Sequence, residues 1–138
     1  MEFNKINETL TVSGQITPEE VATLKERGFK SLIINRPDEE VEDSLASAAV
    51  MAAAEQHGLA AVYLPIYPGQ FDAGLIADTR AALASMEAPI YAYCRSGTRS
   101  CFAWGLAQAG EMDGADIMAQ AAGAGYDLSP VAAKLAGD

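Results

Sequence analysis

Thr17-Pro18-Glu19-Glu20 opens, and Ser31-Leu32-Ile33-Ile34-Asn35 closes, a stretch in which a helix signal is followed at once by a buried-strand signal. A hydroxyl residue at the cap, proline at the first helical position and a capping-box glutamate predict a helix over Pro18 to Arg27, with Gly28 where it should stop. The nearly continuous apolar run of Ser31 to Asn35 suits a strand covered on both faces, as in a parallel sheet. The pattern recurs: Val41 to His57 ends at Gly58 and leads into Ala60 to Leu64, and Ala73 to Met86 leads into Pro89 to Tyr93. This alternation predicts an α/β fold, with a central, mostly parallel sheet, helices on both faces and a site at the carboxyl ends of the strands. The loops that matter are then Arg36-Pro37-Asp38, Pro65 to Asp72 and Cys94 to Ser100. Short closing helices are expected over Cys101 to Ala109, Gly114 to Ala122 and Ser129 to Ala136, the last with Ser129 as its cap and Pro130 at its first position. Lys5 to Val12 is expected to add one or two edge strands.

The chain has 138 residues, half of them hydrophobic, which suits one packed core and a single domain over residues 1–138. A formal net charge of −10 argues against nucleic acid or an anionic membrane as a partner, because the overall field repels polyanions. Neither a spanning apolar run nor a secretory leader is seen, so a cytoplasmic location is expected. Two cysteines and one histidine cannot supply the four ligands of a structural zinc site, and no metal or other cofactor is expected. Any anionic substrate should be small and locally attracted. Arg95 and Arg99, two of only nine basic residues, flank one short stretch beside Cys94 and supply that attraction.

Cys94 follows a β-like run and precedes a helical one, which places its sulfur where unpaired backbone N–H groups converge at a helix N-terminus. Such a position, with a guanidinium nearby, favours the reactive thiolate. Gly97 allows consecutive N–H groups to turn inward as an anion nest. Ser96 belongs to the same loop, Thr98 and Ser100 add hydroxyl donors, and Arg99, with Arg95 as a second candidate, can grip an oxyanion. Cys101, in a run of Phe, Ala, Trp and Leu, reads as core packing, with a resolving thiol as the alternative. Arg36 is an accessory candidate for recruiting the anion, or an arginine paired with the acids between Asp38 and Asp43. Asp72 lies where a general acid would be useful, or simply begins a helix. The acidic run itself reads as a solvated face.

Tyr93-Cys94-Arg95-Ser96-Gly97-Thr98-Arg99-Ser100, together with Gly14-Gln15, Ile34-Asn35-Arg36-Pro37-Asp38 and Ala124-Gly125-Tyr126-Asp127-Leu128, resembles the bacterial phosphatase-like domain family of beta-lactamase hydrolase-like proteins, whose members are often labelled sulfur transferases. The resemblance covers nearly the whole chain. It implies a protein-tyrosine-phosphatase-like fold similar to the dual-specificity enzymes, in which one loop carries the catalytic cysteine and arginine, and those roles carry over onto Cys94 and Arg99. The loop departs from the phosphatase pattern in length: four residues separate Cys94 from Arg99, one fewer than in a phosphatase loop. In this respect Cys94 to Ser100 is similar to the active loop of single-domain rhodaneses.

The leading expectation is therefore a rhodanese-like sulfurtransferase, taking sulfur from thiosulfate or a persulfide onto Cys94 and passing it to a thiol acceptor. The first alternative is a phosphatase that acts on a phosphate ester through a phosphocysteine. A non-catalytic anion-binding module is the second. Sequence leaves the oligomeric state open.

Overall fold

The structure, a computed structural model, describes residues 1–135. Its strands are β1 (Asn4–Lys5), β2 (Leu10–Ser13), β3 (Ser31–Ile34), β4 (Ala60–Tyr63) and β5 (Ile90–Tyr93), which make a single sheet in the order β1-β2-β5-β3-β4. Only β1 is antiparallel to its neighbour. The expected α/β architecture with a mostly parallel sheet is what forms. Of the one or two edge strands expected at the N-terminus, one forms: β1 is an edge, and β2 lies inside the sheet between β1 and β5.

Side chains along each inner strand alternate between two cores, as the period of two requires. Leu32, Ile34, Tyr91 and Tyr93 face α1 (Val21–Glu26) and α2 (Ser47–Gln56), packing with Val21, Leu24, Val50 and Ala54. Ile33, Ile90 and Ala92 face the opposite layer of α3 (Ala73–Ser85), α4 (Thr98–Gln108), α5 (Gly114–Gly123) and α6 (Ala132–Leu135), packing with Trp104, Ile117 and Leu135. Burial on both faces explains why these strands read as continuous apolar runs. Each large apolar side chain so buried contributes about 1.5–3 kcal/mol.

Helix boundaries differ from expectation for identifiable reasons. The capping box forms, with Thr17 Oγ1 accepting from Glu20 N–H and Glu20 Oε1 accepting from Thr17 N–H, but its first turn, Pro18–Glu20, is 3-10 and the α-helix starts at Val21. The helix expected from Val41 begins only at Ser47, after 3-10 turns at Asp38–Glu40 and Asp43–Leu45. Asp38 sets that start by accepting from both the N–H and the hydroxyl of Ser47, at 2.7 and 2.9 Å. In the C-terminal segment Leu128, not Ser129, is the cap of a 3-10 turn at Ser129–Val131; Ala136 lies outside the described residues. Among the described residues no helix is long and apolar enough to cross a membrane.

The register fixes where the chemistry sits. Ser13 and Ile34 are both level with Tyr93, and Ile34 is level with Tyr63. All four parallel strands thus end flush, and the segments beginning at Gly14, Cys94, Asn35 and Leu64 leave the sheet side by side.

Candidate active site

Cys94 is the first residue beyond β5 and is buried, 1% exposed. Its N–H donates to Ser13 O at 3.3 Å, extending the sheet by one step. The chain then turns sharply enough for the Gly97 N–H to donate back to Cys94 Sγ at 3.1 Å. That turn needs a left-handed residue, and Gly97 supplies it at φ +91° while serving as the N-cap of α4. Helix α4 therefore begins at Thr98, inside the loop, where a start at Cys101 was expected. The earlier start brings the positive end of α4 to the sulfur.

Arg99 lies in the first turn of α4. Its Nη1 and Nη2 donate to the two carboxylate oxygens of Glu40 at 2.9 and 2.8 Å, and Nη1 also donates to Ile66 O at 2.6 Å. A guanidinium has five N–H donors in a rigid plane. Two hydrogens of Nη1 and one of Nη2 are engaged, so among the described residues the Nε–H and the adjacent Nη2 hydrogen take no protein partner. They form a second, side-on fork suited to an oxyanion. The pair raises the Arg99 pKa, first through the Glu40 hydrogen bonds, with the charge at Cys94 adding to the shift. Arg99 conversely holds the Glu40 carboxyl below its usual range.

Asn35 ties the strand ends together. It is 3% exposed, and all its polar groups are engaged: N–H to Tyr93 O, C=O from Ile66 N–H, Nδ2 to Leu64 O, and Oδ1 from the Ser100 hydroxyl. Ser100, expected among the loop's anion donors, therefore gives its single hydroxyl proton to Asn35. Ser96 and Thr98 are exposed and share a hydrogen bond at 3.0 Å, and Arg95 points to solvent. Arg36 lies along Glu40 and Gln15, with its contacts at 3.3 to 3.4 Å. Asp72 accepts from Leu75 N–H at 2.8 Å and caps α3. Cys101 lies on the buried face of α4, in the core, and burial pushes its thiol pKa up to about 12.

Sequence reasoning missed Glu40, which it counted with a solvated acidic run; Ile66, which acts through its backbone carbonyl; and Tyr126, whose hydroxyl touches the loop at Ser96. The only available signal was indirect. A half-buried arginine needs a counter-charge, and the acidic residues after β3 are the acids that the flush strand ends bring within reach.

The sequence profile of the family described as beta-lactamase hydrolase-like protein, phosphatase-like domain, matches residues 2–111. A beta-lactamase hydrolase-like protein of Xylella fastidiosa is 32% identical over 130 residues, covering 93% of this chain but only 30% of that protein. A solved structure from Neisseria meningitidis, provisionally described as a phosphatase, superposes with a TM-score of 0.81 at 31% identity, covering 95% of this chain and 94% of its own. TpbA of Pseudomonas aeruginosa, solved in complex with phosphotyrosine, shares the fold at a TM-score of 0.61 and 17% identity, over 86% of this chain and 71% of its own. The fold is protein-tyrosine-phosphatase-like.

Proposed function

Because the chain belongs to the phosphatase-like domain family of beta-lactamase hydrolase-like proteins, we propose that it is a cysteine-dependent phosphatase acting on small phosphate monoesters. The observation that carries this reading is that Cys94 Sγ accepts the Gly97 N–H while Arg99, five positions on in the same loop, keeps its side-on fork after Glu40 and Ile66 have taken the other donors. In the first step the Cys94 thiolate attacks phosphorus. An S–P bond forms, the P–O bond to the leaving group breaks, and that oxygen departs with the electron pair. The non-bridging oxygens take hydrogen bonds from the loop amides and the Arg99 fork, in the place where negative charge is redistributed. Water then attacks the phosphocysteine, the S–P bond breaks, and inorganic phosphate leaves with the thiolate restored. Asp72 is occupied in capping α3, so the substrates favoured are aryl phosphates, whose leaving groups need little help from an acid. This matches the kind of ligand held by TpbA.

One observation favours a second reading, a rhodanese-like sulfurtransferase. Four residues separate Cys94 from Arg99, and a shorter loop makes a tighter cradle, better fitted to a single sulfur atom on Sγ than to a phosphoryl group. There the Cys94 thiolate would attack the outer sulfur of thiosulfate, the S–S bond would break with sulfite leaving on the electron pair, and an acceptor thiol would remove the sulfur from the persulfide.

Intact mass and turnover separate the readings. The phosphatase releases inorganic phosphate from p-nitrophenyl phosphate in a Cys94-dependent reaction. A sulfur adduct after thiosulfate, with no phosphate release, would reverse the order of the two. Neither product would leave an anion-binding module.

A further inference from the structure

We propose that Tyr126 is a positioning residue of the active loop: its hydroxyl pins the Ser96 carbonyl outward and thereby holds the Gly97 N–H on the Cys94 sulfur. The inference rests on the reading of Cys94 as the nucleophile, and it adds a residue from the segment after α5 to the machinery.

The Ser96 C=O and the Gly97 N–H belong to one peptide unit. A trans peptide is planar, with its oxygen and hydrogen on opposite sides. Tyr126 Oη lies 3.0 Å from Ser96 O, outside the loop, and the Gly97 nitrogen lies 3.1 Å from Cys94 Sγ, inside it. Fixing one end of this rigid unit fixes the other. The direction of the Tyr126 proton follows from its second partner, Asn4, whose Nδ2 is 3.0 Å from Oη. An amide nitrogen only donates, so Oη accepts from Asn4 and its own proton goes to Ser96 O. The result is one relay, Asn4 to Tyr126 to the Ser96–Gly97 peptide to Cys94, in which each bond polarises the next.

The loop needs such a restraint because of the residue that makes its turn possible. Gly97 adopts φ +91°, and without a Cβ the neighbouring peptide can rotate at little cost. Rotated, the Ser96 carbonyl would face a thiolate that repels it. The hydroxyl of Tyr126 approaches so closely that a Cβ on Gly97 would collide with it. The preceding carbonyl is closely packed as well: a Cβ on Gly14 would lie 2.8 Å from Arg95 O. Burial raises the Tyr126 pKa, so the proton remains available to Ser96 throughout the neutral range.

The test follows alkylation of Cys94 by iodoacetamide against pH, read from peptide masses, in wild type, Tyr126→Phe and Asn4→Asp. Asn4→Asp keeps the shape but replaces a donor with an acceptor, so it draws the Tyr126 proton away from Ser96. High salt screens the through-space effect of its added charge. Both variants should give wild-type circular dichroism, and Cys94 should alkylate about three- to tenfold more slowly at pH 7, the loss of one hydrogen bond. Their profiles should be displaced toward higher pH. A profile that keeps its midpoint in either variant overturns the inference. Should Tyr126→Phe not fold, Asn4→Asp, which leaves the ring packing intact, decides alone. Wild-type turnover of p-nitrophenyl phosphate tests the phosphatase reading separately: displaced alkylation profiles without turnover would sink that reading and leave the role of Tyr126 standing.

Discussion

Glu40 holds Arg99 with both carboxylate oxygens, at 2.8 and 2.9 Å, across 59 residues of sequence. Their side chains are 24% and 13% exposed, so water screens this pair less than an ordinary surface ion pair. The consequence is geometric as much as energetic. With the end-on fork of the guanidinium occupied, its side-on fork is held in one plane before any substrate arrives, which is preorganisation rather than substrate binding.

Glu40→Gln should accordingly reduce kcat/KM for p-nitrophenyl phosphate by about tenfold, since a neutral amide accepts from Arg99 with one oxygen and carries no charge. It should also change the response to acid. The carboxyl of Glu40 is held below its ordinary value of 4.5, chiefly by the Arg99 hydrogen bonds. A carboxyl lowered in the folded state stabilises the protein above its unfolded value, and that contribution drains away as pH falls through the lowered folded value. Thermal melts from pH 7 down to pH 3 should show a steeper loss in wild type than in Glu40→Gln. Parallel curves would remove Glu40 from the account.

Arg99→Lys keeps the charge but cannot reproduce two planar forks, one for Glu40 and one for the proposed phosphate ester. Loss of a transition-state interaction of this kind costs about 2–4 kcal/mol, roughly thirty- to a thousandfold in kcat. Arg95 is exposed, and Arg95→Ala should cost far less. A larger loss in Arg95→Ala than in Arg99→Lys, measured side by side, would mean that the wrong arginine has been placed at the sulfur.

Gly97→Ala should be damaging twice over. An L-residue at φ +91° is strained by about 1–2 kcal/mol, and the new methyl group must displace the Tyr126 hydroxyl. A lowered urea midpoint together with loss of turnover is expected. Full activity would show that the loop does not need the left-handed turn.

The sheet was legible in the sequence because it is buried on both faces, so that Leu32-Ile33-Ile34 and Ile90-Tyr91-Ala92 announce themselves by composition alone. The loop was legible because Cys94, Gly97 and Arg99 lie within a few residues and have chemistry that few other roles require. Glu40 and Tyr126 were not, for a common reason: each acts by closing a distance that only the folded register creates. Glu40 reaches Arg99 because β3 and β5 end level, and Tyr126 reaches Ser96 because α5 packs back over α4. Asn35 sat in the quoted motif, yet its task of joining three strand ends through four hydrogen bonds depends on neighbours supplied by β4, β5 and α4. The start of α2 was misplaced because Asp38, which accepts its first N–H, is nine residues away in sequence, outside the span of any local capping pattern.

The two cysteines should behave oppositely. Cys94→Ser should abolish turnover with the fold intact. Native iodoacetamide labelling at pH 8 should modify Cys94, which lies at the mouth of the strand ends, and spare Cys101, whose thiol is enclosed in the core and pushed up to about 12 by desolvation. Cys101→Ser places a hydroxyl in an apolar core and should cost about 1–3 kcal/mol of stability with turnover retained. Turnover that stops after one cycle in Cys101→Ser and returns with dithiothreitol would make Cys101 a resolving thiol instead.

The length of the loop gives the test that bears most directly on the chemistry. Four residues between Cys94 and Arg99 set how far the side-on fork of Arg99 stands from Sγ, and therefore whether the cradle closes on one sulfur atom or around a phosphoryl group. Inserting one residue after Gly97 should widen the ring and advance Arg99 around it. If spacing governs the choice, the ratio of kcat/KM for p-nitrophenyl phosphate to that for thiosulfate should rise in the insertion variant, even though both values fall through poorer preorganisation. The insertion also lengthens the path between the Ser96–Gly97 peptide and α4, so a circular dichroism melt must first show the variant folded. An unchanged ratio in a folded variant would mean that the donors of the loop, rather than its length, select the substrate.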